Sequence, residues 1–221
     1  GRFYIKDLKS GNLRFVFDQG RGRVFWGEKE LTSGLGVYTS MRSLGIWYDS
    51  YQAVWQVKEK ESDKIIVSGD WPYIPISQRW QIELIDKTSI FWKVNMEIYE
   101  ETNLEIEQTN LMLSPEYKTW MVPGMIKGEF VDEYTQDYDI LPFRFWNGKP
   151  AQKEIGVVDN SLPSIFLKCN LEDDSLRAII ENSDYLYKAR LLQYQKSNIA
   201  KLLPKKYIYF EGVIRIGILK K

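Results

Sequence analysis

Apolar side chains recur at every second position along most of this chain, and that period confines it to β-structure. A strand turns successive side chains to opposite faces, so alternation marks a sheet with one face buried. Leu13, Phe15 and Phe17 alternate with Asn12, Arg14 and Asp18 around them. Trp80, Ile82 and Leu84 alternate with Gln81 and Glu83. Trp92, Val94, Met96 and Ile98 alternate with Lys93, Asn95 and Glu97, and Leu104 and Ile106 with Glu105 and Glu107. The breaks between these last three runs are short and polar, Asp86-Lys87-Thr88 and Glu100 to Asn103. They predict an antiparallel meander, apolar on one face and charged on the other.

The later chain keeps this texture. Phe143 to Trp146 runs into Asn147-Gly148, a pair that tolerates positive φ and predicts a tight hairpin turn. Ile165 to Leu171 ends at the turn Glu172-Asp173-Asp174, Leu176 to Glu181 ends at Asn182-Ser183-Asp184, and Tyr187 to Gln195 follows. The closing stretch, Tyr207 to Ile218, is long and β-branched. Helix is scarce: Asn198 to Leu203 fits one turn before Pro204 stops it. Gly20-Arg21-Gly22-Arg23 precedes no helix, so it reads as a hairpin turn and not a phosphate cradle. Strands at roughly 8–12-residue spacing predict an all-β, antiparallel two-sheet sandwich with few short helices, in one domain over residues 1–221. The chain starts strand-like at Gly1-Arg2-Phe3-Tyr4-Ile5 without an initiator Met and reads as a piece of a longer protein.

Composition then closes off chemistry. There is no histidine among the 221 residues, which removes His bases, His metal ligands and every Ser-His or Cys-His arrangement. The single cysteine, Cys169, supports neither a disulfide nor a zinc site, and it sits in an apolar run that predicts a buried thiol. One cysteine gives no support to an oxidising compartment and favours the cytoplasm. The 30 basic and 30 acidic residues cancel, so no global basic field exists to hold nucleic acid. No stretch reaches the roughly 18–20 apolar residues that a membrane-spanning helix needs. Neither a cofactor nor a metal site is expected, and catalysis would have to use Asp, Glu, Tyr, Lys or Arg.

Aromatics make up 14% of the chain, with eight Trp. Two stretches interleave them with polar residues, Trp47-Tyr48-Asp49-Ser50-Tyr51-Gln52-Ala53-Val54-Trp55 and Trp71-Pro72-Tyr73-Ile74-Pro75-Ile76-Ser77-Gln78-Arg79-Trp80. A sugar ring offers a C–H face that an indole or phenol matches, and a hydroxyl rim that Asp, Gln or Arg can pair with. Trp47, Tyr48, Asp49, Trp71, Tyr73, Gln78 and Arg79 are therefore candidate ligand contacts. A large sandwich also needs aromatics in its core, so packing is the competing reading for these rings. The acidic residues Glu83, Glu97, Glu105 and Glu107 share one parity, which reads as a solvated sheet face; the other reading is a carboxylate pair for acid/base work.

Taken in order, the runs resemble the galactose-mutarotase-like β-supersandwich of aldose epimerases and of accessory domains in carbohydrate-active proteins. The resemblance rests on Asn12 to Phe17, Glu30-Leu31-Thr32 leading into Gly36-Val37-Tyr38, the runs from Trp80 to Asn110, Leu111 to Tyr117 with Trp120, and Tyr207 to Ile214. Epimerases of that family place a histidine just after the central strands, in an Asn-His-x-Tyr-like segment. Here Asn110 to Tyr117 offers Ser114, Pro115 and Glu116 instead, so no catalytic residue carries over. The resemblance implies a non-catalytic carbohydrate-binding or carbohydrate-processing accessory domain, partnered by an oligo- or polysaccharide and by a neighbouring domain of the same chain. Two alternatives stand beside it: a hydrolase, lyase or epimerase using carboxylate and Tyr chemistry, and a structural protein-interaction module.

Overall fold

Alternation becomes strand nearly everywhere in the computed structural model, which describes residues 6–134, 144–146 (backbone), 153–197 and 200–218. In chain order the first strands are β1 (Asp7–Ser10), β2 (Leu13–Asp18), β3 (Arg21–Trp26), β4 (Lys29–Glu30), β5 (Thr32–Ser43) and β6 (Ile46–Asp49). A 3-10 turn, Ser50–Gln52, leads to β7 (Val54–Lys60), β8 (Lys64–Asp70), β9 (Ile76–Asp86) and β10 (Ser89–Ile98). Then come β11 (Thr102–Asn103), β12 (Ile106–Leu113), β13 (Thr119–Val122), β14 (Ile126–Glu129) and β15 (Arg144–Trp146). The last are β16 (Glu154–Val158), β17 (Ser164–Cys169), β18 (Leu176–Asn182), β19 (Arg190–Ser197), β20 (Lys201–Leu202) and β21 (Lys205–Gly217).

Two sheets hold almost all of them. The front sheet has ten strands along the path β1-β2-β3-β5-β12-β19-β18-β15, with β4 on β3 and β6 on β5. The back sheet has nine, in the order β14-β13-β16-β17-β21-β10-β9-β8-β7. The β11–β20 pair lies apart, and every pairing is antiparallel. The molecule is an all-β antiparallel sandwich, as the period of its apolar residues requires.

Between the sheets runs a row of rings. Trp55, Trp80, Trp92 and Phe210 come from back-sheet strands, and their centroids are spaced 5.0 Å, 5.3 Å and 5.4 Å in succession. Phe17 and Tyr194 reach in from the front sheet, Phe17 edge-on to Trp80 at 5.8 Å and Tyr194 tilted on Phe210 at 6.1 Å. Aromatic pairs in such edge-on geometry add about 0.5–1.5 kcal/mol each beyond the burial of their area. Trp80, Trp92, Val94 and Met96 are all buried, the inward parity expected of their runs. Cys169 is likewise buried and unpaired.

Three expectations change. β9 and β10 form the predicted hairpin, but the run from Leu104 does not extend it. The free edge of β10 is taken by β21, which pairs along its whole length, and β12 instead lies between β5 and β19 in the front sheet. A strand from the far end of the chain wins that edge, and alternation carries no information about which neighbour occupies an edge.

The acidic row breaks with it. Glu83 and Glu97 lie on the back sheet, whereas Glu105 pairs with Arg42 of the front sheet at 3.1 Å. Glu107 points between the sheets, is buried, and accepts a hydrogen bond from the Tyr207 hydroxyl. No shared carboxylate face exists among the four. Finally, Lys201–Leu202 is extended, because it pairs with Thr102–Asn103 rather than closing a helical turn. The Asn147-Gly148 turn and the opening Gly1 to Ile5 lie outside the described residues.

Burial separates two rings of the Trp71 loop. Trp71 is 5% exposed and edge-on to Trp55, while Tyr73 is 90% exposed. Trp71→Ala should cost about 3–5 kcal/mol in chemical denaturation, and Tyr73→Ala no more than about 0.5 kcal/mol.

Candidate functional site

The outer face of the front sheet carries a row of uncharged polar side chains in strands that are otherwise apolar. Ser40 on β5, Asn110 on β12 and Gln193 on β19 have the parity opposite to the inward residues Met41, Leu111 and Leu192. Strand register brings them side by side: Asn110 is opposite Gln193, and Ser40 is opposite Asp49 of β6. Gln193 Nε2 donates to Asn110 Oδ1 at 2.7 Å, Asn110 Nδ2 to Ser40 Oγ at 3.5 Å, and Ser40 Oγ to Asp49 Oδ1 at 2.6 Å. A second row lies alongside, with Gln108 Nε2 donating to Gln195 Oε1 at 2.9 Å and Gln195 Nε2 to Ser197 Oγ at 2.8 Å. From beneath, the buried Tyr209 hydroxyl lies 2.9 Å from the Ser40 carbonyl and 2.8 Å from that of Gln108, tying the back sheet to this patch.

Asp49 is set by a joint between two turns. The β2–β3 hairpin turns on Gln19 and Gly20 at φ of 46° and 85°, the positive pair that a two-residue hairpin favours. Its tip lies under the 3-10 turn, where Ser50 Oγ donates to the Gly20 carbonyl at 2.6 Å and accepts from Thr39 N–H at 3.0 Å. Trp55 Nε1 donates to the Ser50 carbonyl at 2.7 Å, and Trp71 Nε1 to the Asp49 carbonyl at 3.1 Å. A Cβ on Gly20 would lie 2.2 Å from the Ser50 oxygen, too close for any side chain. Gly20→Ala should therefore lower stability by roughly 1–3 kcal/mol and disturb the Asp49 environment, read by thermal melting and by amide chemical shifts at residues 49–52.

Aromatic residues flank Asp49 along the chain. Trp47 follows the parity of Asp49 and is 41% exposed, as is Tyr51 on the 3-10 turn. Burial raises the Tyr187 phenol above its usual value, with Tyr51, Asp184 and Asp49 adding to the rise and Arg21 opposing it.

The residues picked out in the sequence divide. Trp47 and Asp49 share this outer face. Tyr48 has the opposite parity and packs half-buried on the core, and Trp71 is a core ring whose indole N–H supports the Asp49 backbone. Tyr73 stands exposed on the loop that Trp71 anchors. Gln78 is fully buried between the sheets, where its Oε1 accepts from Thr39 Oγ at 2.8 Å and from Trp80 Nε1 at 3.0 Å. Its parity is that of Trp80, so it faces inward once β9 starts at Ile76; Arg79 points the opposite way, out from the back sheet. These residues do not meet at one place. Ser40, Asn110, Gln193 and Tyr187 have no sequence signal as a group, because 70 residues separate Ser40 from Asn110 and 83 separate Asn110 from Gln193.

Another concavity, a cleft of about 560 Å3, opens between the sheet ends over Val122, Cys169, Leu176 and Tyr194. Among its rim charges Lys153 pairs with Glu172, Asp173 with Lys196 and Glu154 with Arg215. Among the described residues no three His, Cys, Asp or Glu side chains gather as metal ligands, and no helix is long and apolar enough to cross a membrane.

Burial raises the Asp49 carboxyl above the ordinary range, partly offset by the Ser40 hydroxyl. An acid raised by folding contributes most stability when protonated and loses that contribution as pH climbs through its folded value. Asp49→Asn should accordingly raise the melting temperature at pH 7, with the gain vanishing below about pH 4.

The arrangement of sheets is shared with solved structures of low sequence identity. A putative aldose 1-epimerase from Escherichia coli K12 superposes with a TM-score of 0.63 at 12% identity, covering 98% of this chain and 99% of its own. A GH36 α-galactosidase from Geobacillus stearothermophilus gives 0.60 at 10% identity, and a heparan sulfate lyase from Pedobacter heparinus 0.55 at 9%. They are covered at 96% and 95% of this chain, which spans only 40% and 34% of their own lengths. The chain therefore has the galactose-mutarotase-like fold, a sandwich found in aldose epimerases and within larger carbohydrate-active enzymes. No protein-family model matches the sequence, and no curated protein does.

Proposed function

We propose that this chain binds carbohydrate non-catalytically on the outer face of its front sheet, as an accessory domain of a larger protein. The observation that carries this reading is the Gln193–Asn110–Ser40–Asp49 row with the exposed Trp47 two residues from Asp49 on the same strand face. The buried Gln193, Asn110 and Ser40 hold the Asp49 carboxylate, which is matched to a hydroxyl rim, and the exposed Trp47 ring to the C–H face of a pyranose. The carbohydrate-related structures that share the fold support the same ligand class. The chain has no histidine to protonate a ring oxygen, so binding without turnover is the simplest use of the patch.

Trp47 supplies the stacking surface and Asp49 orients hydroxyls. Saturation-transfer NMR against an oligosaccharide panel should show contact with at least one glycan at millimolar concentration. Losing one stacking ring costs about 1 kcal/mol, so Trp47→Ala should weaken binding roughly fivefold with little change in melting temperature. Absence of contact with every glycan tested, or binding indifferent to Trp47→Ala, would refute the proposal and leave the interaction-module alternative.

A further inference from the structure

Glu107 lies on β12 with the inward parity of Leu111, and only 5% of it is exposed. Strand register puts Lys196 of β19 on one side of it and Met41 of β5 on the other. The Lys196 ammonium is taken by Asp173 at 2.6 Å, and the Lys205 ammonium of β21 lies over the Tyr207 ring, 4.7 Å from its centroid. Neither forms an ion pair with Glu107, and no other Lys or Arg among the described residues does. Its hydrogen-bond partner is the Tyr207 hydroxyl at 2.5 Å, 100 residues away in the back sheet. Met96, opposite Tyr207 on β10, adds no charge. A carboxylate withdrawn from water and met by a neutral donor alone is costly to keep ionised, and the cost disappears when it holds a proton.

This contact joins the sheets beneath the polar row. A register shift in β21 leaves Tyr209 with no opposite residue on β10, and Tyr209 and Phe210 both bury as a result. Two hydroxyls from one strand thereby reach the front sheet, Tyr207 at Glu107 and Tyr209 at the carbonyls of Ser40 and Gln108. Ser40 and Gln108 adjoin the Met41–Glu107 pair along β5 and β12, and Ser40 Oγ is the donor to Asp49. Loss of the Glu107 contact therefore falls on the same two strands that carry the row.

We propose that Glu107 and Tyr207 form a proton-operated clasp between the sheets, closed while Glu107 holds its proton and weakened as that proton leaves. Burial raises the Glu107 carboxyl above its ordinary value; the Tyr207 hydrogen bond, Lys196 and Lys205 offset part of the rise, and Asp173 adds to it. An acid raised by folding favours the folded form most while protonated, and that contribution is lost as pH climbs through its folded value. The clasp is closed below about pH 4, where an ordinary glutamate is protonated, and gives as pH rises above that range. It is a property of the fold and holds whatever the outer face binds.

The test is amide hydrogen exchange of the whole chain at about pH 4.5 and about pH 8, corrected for the intrinsic pH dependence of exchange. Between the two, protection at residues 106–109 and 205–209 should fall roughly tenfold more than at residues 13–17 of β2. Glu107→Gln keeps the shape and a hydrogen-bonding oxygen without the titration, and it should abolish this difference. Asp49→Asn, which removes the other raised carboxyl nearby, should leave the difference in place. In the unsubstituted chain, carbon-13 NMR of the Glu107 carboxyl should show it titrating above the range of an unstructured glutamate, and higher again in Tyr207→Phe. A Glu107 carboxyl that titrates at or below the ordinary range, or a pH-dependent loss of protection that survives Glu107→Gln, would overturn the clasp.

Discussion

The edge-to-face row of Trp55, Trp80, Trp92 and Phe210 is the constraint from which the rest of this sandwich follows. Each ring comes from a different back-sheet strand, and the row joins β7, β9 and β10 to β21 from the far end of the chain. Phe17 and Tyr194 close on it from the front sheet and fix how the two layers sit. Rings of this size tolerate little mismatch, because interiors pack as densely as organic crystals. Gln78 is a polar insertion beside the row, and it is stable there because its carbonyl oxygen receives both the Trp80 indole N–H and the Thr39 hydroxyl.

That core reaches the surface through two indole N–H groups. Trp55 holds the Ser50 carbonyl and Trp71 the Asp49 carbonyl, so the segment presenting the carboxylate is positioned by residues whose rings are packed below it. Side chains held by packing and by a second layer of hydrogen bonds present a site more accurately than a free loop does. The Asp49 segment is of that kind, although it lies on a short strand and turn. The two ends of the row each carry a cost to the folded chain: a carboxylate raised by burial at Asp49, and at Gln193 a carboxamide oxygen without a donor among the described residues. Such costs concentrate where a ligand can relieve them.

The fold shows how little sequence identity a sandwich needs. At 12% identity or less, the arrangement of strands is shared although few side chains are. The segment from Asn110 to Tyr117 illustrates the division. Leu111 and Leu113 keep their inward parity and bury, while Asn110 faces outward and joins the polar row. A scaffold can retain its core while the chemistry of its outer face is rewritten, since the two faces of a strand are independent at every second residue.

Read alone, the chain of residues settled the class of fold and the chemistry it excludes. Period-two alternation at Leu13 to Phe17, Trp80 to Leu84 and Trp92 to Ile98 specifies buried strand faces, and it depends only on local geometry. The absence of histidine is a property of composition and needs no structure at all. A hairpin turn was legible near Gly20-Arg21-Gly22-Arg23, being set by a few adjacent residues, although it falls on Gln19 and Gly20 because Arg21 to Arg23 already belong to β3. Tertiary structure alone decided which strands became neighbours. It moved Leu104 to Glu107 out of the expected meander, buried Glu107 against Tyr207, and put Gln78 in the core. It also drew Ser40, Asn110 and Gln193 into one row beside Asp49. Edge pairing is a competition among distant segments for the same backbone hydrogen bonds and the same buried area, and no local pattern encodes its outcome.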